Sequence, residues 1–168
     1  MSVARSILFL LVGCRGIDSV AIVAGDHCAS DREANVACAR DGDTLELEAC
    51  GGEAVRLLGI NAPEIAHSSA EVDECFGLEA ATWMADRLVG VDVRLEFDAT
   101  CTDIYDRTLA YVWVVEDDGT ETLINEEILK AGYARVYEDF DDIRLADRLY
   151  AAEADAQAIN AGLWQVCE

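Results

Sequence analysis

Residues 41–64 read DGDTLELEACGGEAVRLLGINAPE. Asp41-Gly42-Asp43 is a turn signal. From Thr44 to Ala49 the pattern alternates, with Leu45 and Leu47 on one face and Glu46 and Glu48 on the other, as a half-buried strand requires. Gly51-Gly52 turns the chain again, and Val55 to Ile60 forms the next strand, which Pro63 stops. Two short strands joined by a tight turn set the tone for the whole chain.

Upstream, Val36 to Arg40 reads as a strand leading into the first turn. Downstream, residues 74–89 read as a helix, with Leu78, Ala81, Ala85 and Leu88 at helical spacing and Gly90 at its end. Val91 to Asp98 is the cleanest alternating strand. Leu109 to Val115 is more continuously apolar and reads as a strand buried on both faces. Asp118-Gly119 is a hairpin-type turn. A short helix follows over Leu123 to Ala131, and a last one over Asp142 to Ala161 with the stripe Leu145, Leu149, Ala152, Ala156 and Ile159. The expected fold class is α+β, mainly β barrel: a five-stranded, partly open barrel of OB type with three helices. The pattern alone leaves other α+β folds open.

The chain has 168 residues, enough for one domain with a real core plus some extra at one end. It carries 34 acidic and 12 basic residues, a formal charge of −22, and its one lysine is Lys130. Such a surface counts against a nucleic-acid binder that relies on a broad basic face. It leaves room for an enzyme that gathers positive charge at one point. The plainer reading of the acid load is solubility or life at high salt.

The N-terminus looks like an export signal. Arg5 is followed by the apolar run Ile7 to Val12, and Leu11-Val12-Gly13-Cys14 resembles a bacterial lipobox. The expected organisation is a signal peptide over 1–13, a linker over 14–33 behind a lipid-anchored Cys14, and the folded domain over 34–168. A plain secretory signal cut elsewhere, for example near Ala24, or a frayed cytosolic N-terminus is the alternative. Export as a cell-envelope lipoprotein or a secreted or periplasmic protein suits the cysteines. Setting Cys14 aside leaves Cys28, Cys38, Cys50, Cys75, Cys101 and Cys167, an even set fit for disulfides. The absence of CxxC and the presence of only two histidines, His27 and His67, argue against zinc.

Four segments carry chemistry-bearing residues. Asp43 sits in a turn and Asn61 at the end of a strand, and both offer oxygen to a hard cation. Arg56 lies in an apolar strand, either as a snorkelling edge residue or as a phosphate clamp. Glu64 follows Pro63, whose fixed backbone suits a group that must hold its aim. Arg107 opens the most apolar strand, flanked by Asp103 and Asp106, which alone would read as a surface ion pair. Taken singly, each reads best as an ordinary turn, edge or surface residue.

Together they resemble the staphylococcal nuclease family over roughly residues 34–164. The resemblance rests on Asp41-Gly42-Asp43-Thr44 followed by Arg56-Leu57-Leu58-Gly59-Ile60-Asn61-Ala62-Pro63-Glu64, on Asp103-Ile104-Tyr105-Asp106-Arg107, on the Asn125 to Gly132 helix, and on Ala161 to Trp164. It implies Ca²⁺-dependent hydrolysis of DNA and RNA. It further implies that Asp43, Asn61 and the backbone carbonyl of Ala62 bind Ca²⁺, that Glu64 is general base or orients the attacking water, that Arg56 and Arg107 hold the phosphate, and that Tyr105 lies near the nucleotide. It also implies a Cys75–Cys101 disulfide. The expected partners are nucleic acid and, through the N-terminal lipid alone, a membrane; the expected state is a monomer. Two departures stand out: Asn61 replaces the family's usual aspartate, and Ile104 stands where the best-known member has a lysine. The competing expectation is a non-catalytic or vestigial OB-fold module of a cell-envelope lipoprotein.

Overall fold

The computed structural model describes residues 30–66, 68, 72–137 and 143–167. The expected signal peptide, Cys14 and most of the expected linker lie outside them.

The described elements are strands β1 (Arg32–Ala39), β2 (Thr44–Leu47), β3 (Glu53–Leu57) and β4 (Ile60–Asn61), helix α1 (Gly77–Leu88), strands β5 (Asp92–Glu96), β6 (Thr108–Val115) and β7 (Glu121–Leu123), helix α2 (Ile124–Lys130), strand β8 (Arg135–Val136), and helices α3 (Ala146–Ala158) and α4 (Leu163–Val166). Strand order in the main sheet is β3-β2-β1-β5-β6-β7, and β3 also pairs with β6. That parallel pairing closes five strands into a barrel, as expected from the OB-type reading. Three short strands and the helix α4 are additions to that expectation. β1 starts at Arg32, inside the stretch read as linker.

Alternation in the sequence becomes burial in the barrel. Val93 and Leu95 of β5 and Leu45 and Leu47 of β2 are buried, while Glu46 is only partly so. In β6 the run from Leu109 to Val112 is buried throughout, because its two faces meet the barrel core and the helices. Asn125, fully buried on α2, accepts from Val112 N–H at 2.9 Å and donates to the Leu58 carbonyl at 2.9 Å. One polar side chain thus ties α2 to β6 and to the chain leaving β3.

Three expectations need correction. The strand expected over Val55–Ile60 is two strands, β3 and β4, split at Gly59, whose φ of +79° suits glycine. A side chain at Gly59 would also meet Ile143 Cδ1 at 2.4 Å. In α1 the buried residues are Gly77, Ala80, Met84 and Leu88, and Leu78 is 61% exposed. The first turns of the helix lie so close to the barrel that small residues face it there: a Cβ on Gly42 would stand 2.8 Å from Ala80 Cβ, while Met84 and Leu88 are buried further along. In α3 the stripe Leu149, Ala152 and Ala156 is buried as expected, but Ile159 lies past the helix end and is exposed.

Cys38 and Cys50 form a disulfide between β1 and the turn after β2. The expected Cys75–Cys101 bridge is not made. Cys75 pairs with Cys167, their Cα atoms 5.8 Å apart, which ties the entry of α1 to the chain end behind α4. Cys101 is disulfide-bonded elsewhere; its carbonyl accepts from Leu109 N–H at 2.9 Å, holding it against the start of β6.

Candidate active site

Register explains why distant residues meet. β2 pairs with β3 so that Thr44 faces Arg56, which sets Asp43 beside Arg56. β3 pairs with β6 so that Arg56 faces Leu109. Arg107, two residues before Leu109, falls on the same face of an extended chain. The turn at Gly59 then brings Asn61 back against Arg56.

Arg56 is the hub, 7% exposed. Its Nη1 lies 3.0 Å from Asp43 Oδ1. Its Nη2 donates to Asn61 Oδ1 at 3.0 Å. The other Asp43 oxygen accepts from Ala62 N–H at 2.6 Å, and Thr44 Oγ1 donates to Oδ1 at 3.1 Å. Asp41, also buried, accepts from Asp43 N–H at 2.9 Å. Burial pushes the Asp43 carboxyl up to about 7; Arg56 pulls it down, and the Asp41 carboxylate pushes it further up. Asp41 and Asp43 are thus buried side by side, and Arg56 pairs with Asp43 alone.

Arg56, Asn61, Glu64, Tyr105 and Arg107 open into one cleft of about 590 Å³, which Thr100, Thr102, Asp103, Ile104, Leu109 and Tyr137 also line. Asp43 and Ala62 stand behind it, buried. The sequence-expected residues therefore form one cluster. Ala62 joins it through its N–H.

Glu64 is exposed, yet its backbone is held on both sides. Its N–H donates to Glu74 Oε2 at 3.2 Å, and its carbonyl accepts from Glu74 N–H at 2.9 Å. The neighbouring Cys75–Cys167 bridge anchors that clamp. Gly77 packs against the same carbonyl: an added Cβ would stand 2.4 Å from Glu64 O and 3.3 Å from Pro63 O. These are backbone atoms, which cannot swing aside. Gly77→Ala is expected to cost about 1–3 kcal/mol of stability and to displace Glu64. Urea unfolding beside a cleavage assay checks this; unchanged stability and rate would contradict the close approach.

Arg107 is aimed by Asp103. Asp103 Oδ1 accepts from Tyr105 N–H at 2.8 Å and Arg107 N–H at 2.9 Å, and Oδ2 accepts from Arg107 Nε at 2.6 Å. The Arg107 guanidinium also lies 5.4 Å from the Tyr105 ring centre. Ile104 and Tyr105 are 91% and 73% exposed at the lip. Partial burial works to raise the Asp103 pKa, but the hydrogen bonds from Arg107 and Tyr105 and the Arg107 charge hold it below its ordinary value. A lowered carboxylate pKa stabilises the folded state above the unfolded value of about 3.9 and is lost as pH falls below it. The loop from 103 to 107 is therefore expected to loosen in acid, and Asp103→Ala to loosen it at neutral pH, at a cost of about 1–2 kcal/mol. Amide exchange at Tyr105 and Arg107 reads both. Equal protection in wild type and variant would rule this out.

Sequence reasoning missed three contributors. In the sequence Asp41 stands only as the first residue of a turn, and Asp103 only as half of a surface ion pair. Gly77 carried no local signal, because its role depends on a contact with Glu64. Among the described residues, Cys38, Glu46 and Cys50 are close enough to suggest a metal site, but both sulfurs are spent in the disulfide.

Residues 54–166 match the family described as staphylococcal nuclease homologue. The chain is 30% identical over 142 residues to a thermonuclease of Staphylococcus hyicus, covering 84% of this chain and 80% of that protein. It is 33% identical over 128 residues to a thermonuclease of Staphylococcus intermedius, covering 74% and 71%. It is also 33% identical over 119 residues to a probable endonuclease LCL3 of Leptosphaeria maculans, covering 66% of this chain and 37% of that longer protein.

Proposed function

The chain belongs to the staphylococcal nuclease family, and from that premise we propose that it is a calcium-dependent nuclease that hydrolyses phosphodiester bonds of DNA, RNA or both. The observation that carries the reading is the meeting of Arg56, Arg107, Glu64 and Asn61 at one cleft, with Asp43 held against Arg56 behind it.

The donors suit a hard divalent cation. Asp43 and Asn61 offer oxygen, as Ca²⁺ prefers, and the Ala62 carbonyl is the third candidate. Burial and Asp41 oppose ionisation of Asp43, and a cation bound beside it would add to Arg56 in favouring the charged form. Asn61 keeps an oxygen but gives up a charge, so affinity is expected to be lower than with aspartate there. When bound, the ion neutralises phosphate charge and polarises an attacking water.

The chain's own residues do the rest. Arg56 and Arg107 bind the phosphate oxygens and stabilise charge as it builds on phosphorus. Glu64 takes a proton from water as the water oxygen bonds to phosphorus and the ester P–O bond breaks, and the departing alkoxide takes its proton from solvent. Arg107 stands ready beside the leaving oxygen. Tyr105 lies close enough to Arg107 to meet the sugar or base of the bound nucleotide. Gathering positive charge at one mouth lets a chain of charge −22 hold a polyanion without a basic face.

The disulfides favour an oxidising compartment, so we place the protein outside the cytoplasm. No helix among the described residues is long and apolar enough to cross a membrane.

The test is cleavage of labelled single- and double-stranded oligonucleotides of DNA and of RNA in millimolar Ca²⁺ and then in excess chelator. Cleavage in Ca²⁺ and its loss in chelator are expected. Equal cleavage in both would rule out a metal-dependent mechanism, and cleavage of neither nucleic acid would favour a binding module.

A further inference from the structure

Away from the cleft, α1 and Tyr133 form a second concavity of about 390 Å³, lined by Leu78, Glu79, Thr82, Trp83, Asp86 and Tyr133. It shares no residue with the cleft. Its floor is aromatic. The Trp83 and Tyr133 rings stack at 5.7 Å between centroids, 23° from parallel, and Phe76 lies 5.2 Å from Tyr133. Its rim is acidic. Glu79 and Asp86 are exposed, four residues before Trp83 and three after it, spacings that put both on the Trp83 side of the helix. No described arginine or lysine forms an ion pair with either.

The chain's other aromatic faces show what such a surface takes. Arg94 and Arg148 lie 5.2 and 5.3 Å from the Trp113 ring centre, Arg135 lies 4.1 Å from Trp164, and Arg144 lies 5.6 Å from Tyr111. Among the described residues, no cation covers Trp83 or Tyr133. The face of an aromatic ring attracts a cation, most strongly for tryptophan. A guanidinium is flat and weakly hydrated, so it can lie on the rings while its edge N–H groups donate to carboxylates; an ammonium is compact and holds its water. Leu78, 61% exposed, offers apolar contact to an arginine stem.

We propose that this groove binds an arginine side chain presented by a basic peptide segment of a partner protein. The overall charge of −22 draws such a segment in, and the aromatic pair with Glu79 and Asp86 fixes where it docks. The site is independent of the nuclease reading, because no residue is shared and binding needs no nucleic acid.

The experiment follows the three tryptophan indole N–H resonances of the nitrogen-labelled protein by NMR, without nucleic acid, at about 150 mM salt to screen diffuse attraction. The titrant is a blocked pentapeptide carrying two arginines. A saturable shift confined to Trp83 is expected, with the two-lysine peptide at least about threefold weaker. Glu79→Gln with Asp86→Asn is expected to weaken binding about tenfold. The control Asp117→Asn with Asp147→Asn, on exposed acids outside the groove, is expected to stay within about twofold. These substitutions are on the surface and keep the test valid where Trp83→Ala would not fold. No shift at Trp83, similar shifts at all three indoles, or equal weakening in the control pair overturns the proposal. Tighter binding of tetramethylammonium or of phosphocholine vesicles than of the arginine peptide also overturns it, by giving the groove to a quaternary ammonium.

Discussion

Arg56→Met is expected to lower kcat/KM by about 10²–10⁴ and to destabilise the fold by about 3–5 kcal/mol. The two losses have one cause. The Arg56 guanidinium lies 3.0 Å from Asp43, and both groups are buried. Removing the cation strands the Asp43 carboxylate beside Asp41, where burial already pushes Asp43 up to about 7. An unpaired buried charge is the costly outcome, whatever the intact pair contributes. Asn61 also loses the donor that holds its oxygen. Saturating Ca²⁺ is expected to restore part of the stability, because the ion replaces the missing charge, but little of the activity. Urea unfolding with and without Ca²⁺, alongside kcat/KM, checks the pair of effects. A variant as stable as wild type would show that Asp43 does not depend on Arg56.

Glu64→Gln separates chemistry from stability. The amide keeps the shape and the backbone clamp to Glu74. It cannot accept the proton from water, so kcat is expected to fall by about 10²–10⁴ with KM little changed. Glu64 is exposed, so stability is expected to stay within about 0.5 kcal/mol. If the variant keeps its rate, the base is another group.

How much of this the sequence held depends on the range of the interaction. Alternation in β2 and β5 gave the barrel strands, because period-two burial is a local property. The site residues could be named because the segments around Asp43, Asn61 and Arg107 together resemble the motifs of the staphylococcal nuclease family; singly each reads as an ordinary turn, edge or surface residue. What joins those segments is not local. The parallel pairing of β3 with β6, which faces Arg56 toward Leu109, links residues far apart in the chain. The split at Gly59 is hidden in the sequence because Leu57, Leu58 and Ile60 are all apolar, and only the positive φ of Gly59 reveals the bend. The stripe Leu78, Ala81, Ala85 and Leu88 meets the buried face of α1 only at Leu88, because close approach at the helix start selects Gly77 and Ala80 there and leaves Leu78 outside. The Cys75–Cys167 bridge joins residues separated by 92 positions, and spacing cannot choose among so many pairings.

The proposed chemistry requires a cation lodged among the oxygens that face the Arg56 guanidinium. Anomalous diffraction from crystals soaked in Ca²⁺, or in Mn²⁺ as its stronger-scattering stand-in, measures that position directly. A single strong peak within about 2.3–2.6 Å of Asp43 and Asn61 oxygens, opening toward Glu64, is expected for Ca²⁺. A peak at another acidic cluster of this highly charged surface, with none beside Asp43 at millimolar ion, would contradict it.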